Sequence, residues 1–404
     1  MPHRPLAVAL AVVVLVGLLG VGVGTYNYLQ TVDPVPATRL VSAVQRIPGA
    51  APSLPWPARG SAAVGASEVG LVADSGATSP LPIASVAKAM TALVVIEAMP
   101  LDTATPGPIV QVSQQDVDLY RAERAEQSTV AVTVGEQLTE RQLLEGLLIP
   151  SANNFADILA RSVGTTVEGF VGRMNARATT LKMTHSHFAD ASGFSAQTVS
   201  TAGDLVNLAL EFLAHPVLVQ IASLPDVQLP VAGTVYNVDY ALGKSGIFGI
   251  KTGSSGDAGA CFLFAANQPV GGGNAVIVGA VLGVPTLDAA FEAAQKLIQA
   301  ASLGFKRATV IPAGQRVAVY RAPWGSVAGI IPSRDVQLLT WPGLLLHYAL
   351  AIPAATAPLA GGSEAGHLTE WVGDGPHVNA ALVTDSGLFP PGRTWRITRI
   401  SGTN

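Results

Sequence analysis

A serine and a lysine three residues apart, Ser85 and Lys88, are the first pair whose types and spacing could do chemistry. On a helix, residues i and i+3 share a face, so the amine of Lys88 would stand beside the hydroxyl of Ser85. A hydroxyl needs a base to become a nucleophile, and a lysine can be that base when burial or nearby cations lower its pKa. The pair predicts an activated serine, although a helix-capping serine followed by a solvated lysine has the same spacing.

Two further motifs follow along the chain. Ser151 and Asn153 flank an alanine ahead of an apolar helical segment. Lys251, Thr252 and Gly253 end a β-like run, where an ammonium and a hydroxyl suit a carboxylate and a glycine allows a ligand to approach closely. Each motif alone is weak evidence, because capped turns are common. The ordered set S-x-x-K, S-x-N and K-T-G is far more specific.

The periodicity of apolar residues predicts the elements that must position these motifs. A helix is expected from about Ser85, helices dominate residues 136–220, and a closing helix covers residues 286–303. Short apolar runs predict strands over residues 62–66, 69–73, 246–251, 261–265 and 275–284. Helices are thus inserted between the early and late strands of one domain, residues 59–305.

The last part of the chain has a different pattern. From about Ala308, short strands are cut by Gly and Pro, with 317–320 and 395–397 as examples, which predicts a separate small β-domain over residues 306–404. The single cysteine, Cys261, lies in an apolar run and is interpreted as a buried small hydrophobe. The seven histidines show no metal-ligand spacing, so neither a metal nor a cofactor is expected.

The composition is apolar and sparsely charged. Of 404 residues, 49% are hydrophobic and 12% charged, which excludes a disordered chain. The net charge is −4 and no basic run occurs, so nucleic acid is not an expected partner.

One N-terminal segment could cross a membrane. Residues 6–24 carry no charge, and at about 1.5 Å per residue they would span about 28 Å, close to the hydrocarbon thickness. Residues 1–24 are therefore predicted to be a membrane anchor, with a cleaved signal peptide as the alternative, and both export the rest of the chain. Residues 25–58 contain six prolines, all between residues 34 and 57, and are predicted to be an extended tether.

The three motifs and their surroundings resemble the penicillin-recognising serine enzymes, and among them the low-molecular-mass penicillin-binding proteins, the serine-type D-Ala-D-Ala carboxypeptidases. The similarity covers about residues 60–305, with the matching segments 82–93, 143–153 and 249–261. It implies an α/β (α+β) fold: a β-lactamase/transpeptidase-like domain with an antiparallel sheet flanked by helices and an inserted helical subdomain, followed by a small all-β C-terminal domain.

The resemblance also implies catalytic roles. Ser85 would attack the carbonyl between two terminal D-alanines, and Lys88 would take its proton. Ser151 would relay a proton to the leaving amine, and the backbone N–H groups of Ser85 and Ser254 would form the oxyanion hole. Water would then hydrolyse the acyl-enzyme.

Further residues would bind substrate by the same resemblance. Asn153 would bind the side-chain amide, while Lys251 and Thr252, next to Gly253, would hold the terminal carboxylate. The expected partners are peptidoglycan stem peptides ending in D-Ala-D-Ala, β-lactam antibiotics and, through the N-terminal segment, the membrane. The expected enzyme removes the terminal D-alanine at the extracytoplasmic face of a bacterial cell membrane.

Three alternatives stay open. A D,D-endopeptidase would use the same scaffold. A class A β-lactamase would need a glutamate for deacylation, but Glu168 and Glu211, the only ones between the second and third motifs, lack the E-x-x-L-N context. A catalytically silent wall-binding module would not need the complete set of motif residues.

Two departures from the family pattern stand out. Residues 189–194 replace its usual N-P-x-G-L turn, which is expected to alter a loop at the site edge without touching the chemistry. No amphipathic anchor is evident at the C-terminus, and the N-terminal span would substitute for it.

Overall fold

The computed structural model describes residues 4–163 and 166–399. The N-terminal elements are α1 (Arg4–Leu29), β1 (Ala37–Arg39) and β2 (Val44–Arg46). The central elements are β3 (Ser61–Ala66), β4 (Gly70–Asp74), β5 (Leu81–Pro82), α2 (Lys88–Ala98), β6 (Ile109–Gln111), α3 (Gln114–Glu123), β7 (Gln137–Thr139), α4 (Glu140–Leu148), α5 (Asn153–Ser162), α6 (Val167–Thr180), β8 (Val199–Ser200), α7 (Ala202–Leu213), α8 (Pro216–Ala222), β9 (Asp226–Leu229), β10 (Gly233–Tyr236), β11 (Ile247–Ser255), β12 (Gly259–Val270), β13 (Gly273–Val284) and α9 (Leu287–Ser302). The C-terminal elements are β14 (Lys306–Ile311), β15 (Ala318–Arg321), β16 (Val327–Pro332), β17 (Val336–Thr340), β18 (Leu345–Ala351), β19 (Glu364–Val372), β20 (Val378–Thr384) and α10 (Arg393–Thr398).

The central domain is built on a five-stranded antiparallel sheet in the order β11-β12-β13-β3-β4. The hairpin β3–β4 and the strands β11 to β13 agree with the sequence prediction. Strand β12 is apolar throughout its centre because helices cover both faces of the sheet. Leu263 packs into the core that contains α2 and α7, while Phe262 and Phe264 pack toward α9, where the ring of Phe291 meets Phe262 edge-on at 5.0 Å.

The helical subdomain, α3 to α6 with neighbouring segments, lies between the early and late strands of the sheet, as predicted. Two of its helices begin with capping boxes, Ser113 with Asp116 at α3 and Thr139 with Gln142 at α4, which satisfy the first free N–H groups of each helix. These caps fix the start of α4, and the end of α4 leads directly into the second motif.

The C-terminal domain contains a seven-stranded antiparallel sheet in the order β1-β15-β16-β20-β19-β18-β2. Both edge strands come from the segment predicted to be a tether. Ala37 pairs with Tyr320, and Leu345 pairs with Arg46. The structure therefore differs from a free tether over residues 37–46, because long-range strand pairing, which local proline content does not reveal, ties this segment to the β-domain.

The end of the described chain differs from the prediction as well. Residues 395–397 were expected in a strand but lie in helix α10, which packs against α1. The side-chain amide of Asn27 donates to the carbonyl oxygen of Arg399 at 2.8 Å, and the guanidinium of Arg399 donates to the carbonyl oxygens of Asn27 and Gln30 at 2.8 and 2.9 Å. A cation at the C-terminal end of a helix satisfies carbonyl groups that have no partner within that helix.

Helix α1 continues five residues beyond the predicted boundary at residue 24 and is exposed along almost its whole length. From Leu6 to Leu29 it is long and apolar enough to cross a membrane. A helix that is apolar on all sides and exposed over most of its length fits a lipid environment.

Candidate active site

The first motif, which contains the expected nucleophile Ser85, lies in a tight turn at the sheet, the nucleophile turn. Residues Ala84–Ala87 form a single 3-10 turn, and α2 continues from Lys88. Ala84 has a φ of +46°, a conformation that non-glycine residues rarely adopt. Gly193 packs so closely on the carbonyl of Ala84 that a side chain there would clash with it. Packing by the surrounding residues thus keeps this turn in its strained conformation, which is how backbone strain persists at functional sites.

Lys88 is completely buried and its Nζ atom contacts three oxygens. Lys88 Nζ lies 2.7 Å from Ser85 Oγ, 2.6 Å from Asn153 Oδ1 and 2.9 Å from the carbonyl oxygen of Ser192. The last two atoms can only accept, so they direct two N–H bonds of the amine away from the serine. In the neutral amine the lone pair then faces Ser85 Oγ, which is the geometry of a general base.

The surroundings of Lys88 favour its neutral form. Burial lowers the pKa of Lys88 well below its ordinary value, and the nearby ammonium of Lys251 lowers it further. The carboxyl groups of Asp190, Asp157 and Glu123 act in the opposite direction. Desolvation and the second lysine outweigh these acids, so the base is available without a strongly alkaline medium.

The loop of residues 189–194 reaches the chemistry directly, and the expectation that it stays apart from it is wrong. Its Ser192 carbonyl is one of the two oxygens that orient Lys88. The carboxylate of Asp190 organises the loop, since it accepts hydrogen bonds from Ser192 Oγ at 2.7 Å, Phe194 N at 2.9 Å and Thr198 Oγ1 at 2.5 Å. A backbone carbonyl carries no side-chain signature, so no sequence motif identifies it.

Ser151 lies in the turn between α4 and α5. It has a φ of +67°, and only 4% of the residue is exposed. Its Oγ atom is buried with no hydrogen-bond partner among the described residues. A buried unpartnered hydroxyl is unfavourable in a resting structure. The Ser151 hydroxyl is therefore available to a ligand that enters the site.

The third motif lies on β11, the edge strand of the central sheet, beside the nucleophile turn. A Cβ atom added to Gly253 would stand 2.8 Å from Ser85 N and 2.9 Å from Val86 N, so a glycine is needed for the strand and turn to meet. Lys251 is also buried, with its Nζ 3.1 Å from the carbonyl oxygen of Thr252. The three motifs thus converge, while the oxyanion hole assigned to Ser85 and Ser254 stays a prediction.

The charge of Lys251 is finely balanced. Burial lowers the pKa of Lys251 to about 7, against the attraction of Asp239, which raises it. Asp239 is itself buried, and burial raises the pKa of its carboxyl group to about 6. Lys251 can therefore be present as a cation near neutral pH and lose its proton just above it.

A group of acidic side chains near Lys88 lies outside the three sequence motifs. Burial, reinforced by the charges of Glu123 and Asp190, raises the pKa of Asp157 to about 7. Asp157 follows Asn153 by four residues and so shares its helix face, a spacing that could have pointed to it. Glu123 is the last residue of α3 and Gln127 lies shortly after that helix, and no local pattern links either of them to the site.

One cluster elsewhere has the composition of a metal site. Ligand atoms of Glu97, Glu211 and His215 lie within 4.8 Å of one another. The guanidinium of Arg177 already contacts both glutamates, at 2.7 and 2.6 Å. The guanidinium thus already pairs with both acids, and none of the three residues belongs to the sequence motifs.

The chain is similar to known proteins over the region that holds these motifs. A family model described as D-alanyl-D-alanine carboxypeptidase matches residues 63–286. A D-alanyl-D-alanine carboxypeptidase of Mycobacterium tuberculosis is 31% identical over 50% of this chain and 67% of its own length. A D-alanyl-D-alanine endopeptidase of Pseudomonas aeruginosa is 31% identical over 45% of this chain and 58% of its own length.

Solved structures agree with the fold. The DD-transpeptidase of Streptomyces K15 superposes with a TM-score of 0.56 at 26% identity and covers 62% of this chain and 98% of its own. A peptidoglycan synthesis regulatory factor of Streptococcus pneumoniae, at 21% identity, has the same fold with a TM-score of 0.63 over 82% of this chain and 99% of its own. The fold class and the resemblance predicted from the sequence are confirmed. The chain belongs to the D-alanyl-D-alanine carboxypeptidase family of serine peptidases.

Proposed function

We propose that this protein is a serine D-Ala-D-Ala carboxypeptidase that removes the terminal D-alanine from peptidoglycan stem peptides and is acylated by β-lactams. The observation that carries the proposal is the buried amine of Lys88, 2.7 Å from Ser85 Oγ and oriented by two fixed acceptors. This is a nucleophile with its base in place. Family membership supports the choice of substrate.

The reaction follows from the positions of these groups. Ser85 Oγ transfers its proton to neutral Lys88 Nζ and forms a bond to the carbonyl carbon between the two D-alanines. The C–N bond of the tetrahedral intermediate then breaks, and the amine of the terminal D-alanine takes the proton from Lys88 Nζ through the hydroxyl of Ser151, which leaves Lys88 neutral again. Water then attacks the ester carbonyl on Ser85 while neutral Lys88 Nζ takes its proton. The ester C–O bond breaks, Ser85 Oγ takes that proton back, and the shortened peptide leaves.

Recognition of the terminal carboxylate falls to Lys251 and Thr252. An ammonium and a hydroxyl beside an edge strand suit a free carboxylate. This supports a carboxypeptidase, whose substrate ends there. An endopeptidase on the same scaffold is the second candidate, because the similar protein of Pseudomonas aeruginosa is called an endopeptidase.

A direct assay tests the proposal and separates the two candidates. We expect the purified chain to release D-alanine from a peptide ending in D-Ala-D-Ala at least ten times faster than it cleaves a D,D-crosslinked peptide dimer. A chromatographic assay of both products measures this ratio. Cleavage of the dimer alone would favour the endopeptidase, and release of neither product would refute the proposal.

A pH profile tests the role of Lys251. Because burial lowers the pKa of Lys251 to about 7, its positive charge is present below that pH and is lost above it. We expect kcat/KM for a peptide with a free terminal carboxylate to fall as the pH rises through about 7, by up to tenfold per pH unit. The corresponding C-terminal amide, which needs no cation, should lack this fall. Equal profiles for the two peptides would contradict the assignment.

We also infer that α1 is retained as a membrane anchor. From Leu6 to Leu29, α1 is long and apolar enough to cross a membrane, and Asn27 and Arg399 join its end to α10. The active domain would then stand at the extracytoplasmic face. In cells, the chain should stay in the membrane fraction, with residues 6–24 detected in it by mass spectrometry of its peptides. A mature protein that begins after residue 24 would contradict this inference.

A further inference from the structure

We propose that the side chain of Gln127 occupies, in the free enzyme, the position that a ligand's amide carbonyl takes at Asn153, and so tunes which ligands acylate Ser85. The inference rests on the proposed function for the ligand-binding role of Asn153. Gln127 is half-buried in the segment between α3 and β7. Its Oε1 accepts a hydrogen bond from Asn153 Nδ2 at 2.5 Å.

The orientation of the Asn153 amide explains why this contact matters. Its Oδ1 accepts a hydrogen bond from Lys88, so its Nδ2 is the group left to donate to a ligand carbonyl. Asn153 is only 5% exposed, and Gln127 Oε1 already accepts a hydrogen bond from one of the two N–H groups of its Nδ2. A ligand carbonyl that accepts from the same N–H can bind only after the glutamine side chain has moved.

The backbone around Gln127 stays in place when its side chain moves. Gln127 N donates to the carbonyl of Glu123 at 2.9 Å, and the carbonyl of Ser128 accepts from Asn153 N at 2.7 Å. Val130 N donates to Asn154 Oδ1 at 3.0 Å. A rotamer change of one half-buried side chain is fast compared with catalysis. Gln127 therefore acts as a competitor for Asn153 at equilibrium and not as a slow gate.

The chemistry of the competition predicts selectivity. The carboxamide oxygen of glutamine and the oxygen of an acyl-amide ligand are the same kind of acceptor, so one replaces the other without leaving Nδ2 unpaired. A ligand without an acyl-amide carbonyl offers no replacement, and Gln127 can stay. Only the first kind of ligand competes with Gln127.

Two β-lactams differ in this group. Benzylpenicillin carries an acyl-amide side chain, and 6-aminopenicillanic acid is the same nucleus without the acyl group. We would measure second-order acylation rate constants for both with the full chain, with Gln127→Ala, and with Gln127→Met, which keeps the length but has no acceptor. Gln114→Ala, at the exposed start of α3, is the matched control.

We expect both Gln127 variants to react with benzylpenicillin about three- to tenfold faster, the range expected for one neutral hydrogen bond, and with 6-aminopenicillanic acid at an unchanged rate. A slower reaction with benzylpenicillin would make Gln127 a support for Asn153 and overturn the proposal. So would an equal change for both compounds, a gain confined to the alanine variant, or no change.

A structural readout is independent of turnover. Crystals of the free chain should contain the contact between Gln127 Oε1 and Asn153 Nδ2, and crystals soaked in benzylpenicillin should have the ligand carbonyl in its place. A contact that persists after soaking overturns the proposal. Failure to release D-alanine, by contrast, would refute only the carboxypeptidase assignment, because acylation by a β-lactam does not require that reaction.

Discussion

Replacing Ser85 with alanine will abolish covalent labelling by a fluorescent penicillin and lower the rate of D-alanine release by at least about a thousandfold. The variant has no oxygen to form the acyl-enzyme, while Lys88 keeps its two other acceptors, Asn153 Oδ1 and the Ser192 carbonyl. The fold should therefore survive. Gel fluorescence and a D-alanine assay measure the two effects, and the melting temperature checks the fold.

The control for this experiment is Ser223→Ala. Ser223 is exposed at the end of α8, and its hydroxyl contacts only a backbone carbonyl of its own helix in the described structure. We expect normal labelling and normal D-alanine release from this variant. Labelling of the Ser85 variant at the rate of the parent chain would mean that another residue is the nucleophile.

Replacing Gly253 with alanine will have the second largest effect, because the added methyl group meets backbone and not movable side chains. The new Cβ atom would lie 2.8 Å from Ser85 N and 2.9 Å from Ile83 O. Strand β11 and the nucleophile turn must separate to admit it. We expect kcat/KM and penicillin acylation to fall by about a hundred- to a thousandfold, the loss typical of a displaced oxyanion donor.

The matched control lies three residues further along. A Cβ atom at Gly256 would meet no atom within 4 Å, and the φ of Gly256 is not positive. Gly256→Ala should therefore keep its activity within about twofold. If both alanine variants kept full activity, the close approach of β11 to Ser85 would not be part of the catalytic geometry.

The features that could be predicted from the sequence are those that depend on residues close together in the chain. Apolar periodicity located the strand that carries Lys251 and the helix that carries Lys88. It also located β12, because burial on both faces of the sheet leaves a continuous apolar run in that strand. The motif order was enough to bring together residues from three distant segments. The chemistry of Ser85 could be anticipated because its base lies on the same helical turn.

The features that were missed depend on contacts distant in sequence. The carbonyl of Ser192 and the side chain of Gln127 reach the site from loops whose residue types carry no motif. Residues 395–397 looked like a strand because they include a tryptophan and an isoleucine, but packing against α1 selects a helix. Local propensity alone does not determine the secondary structure of a segment that packs against residues distant in the sequence.

The two edge strands of the C-terminal sheet, β1 and β2, are separated by only residues 40–43, so the sheet curls until its edges nearly meet. Ala37 emerges first during synthesis, and its partner Tyr320 follows about 280 residues later. Strands β1 and β2 therefore stay without their partners while the whole catalytic domain is synthesised. An exposed strand edge invites pairing with other chains, so this interval is when the protein is most open to aggregation. Pairing of β1 with β15 and of β2 with β18 becomes possible only once these late strands have been made, and it then covers the exposed edges of both.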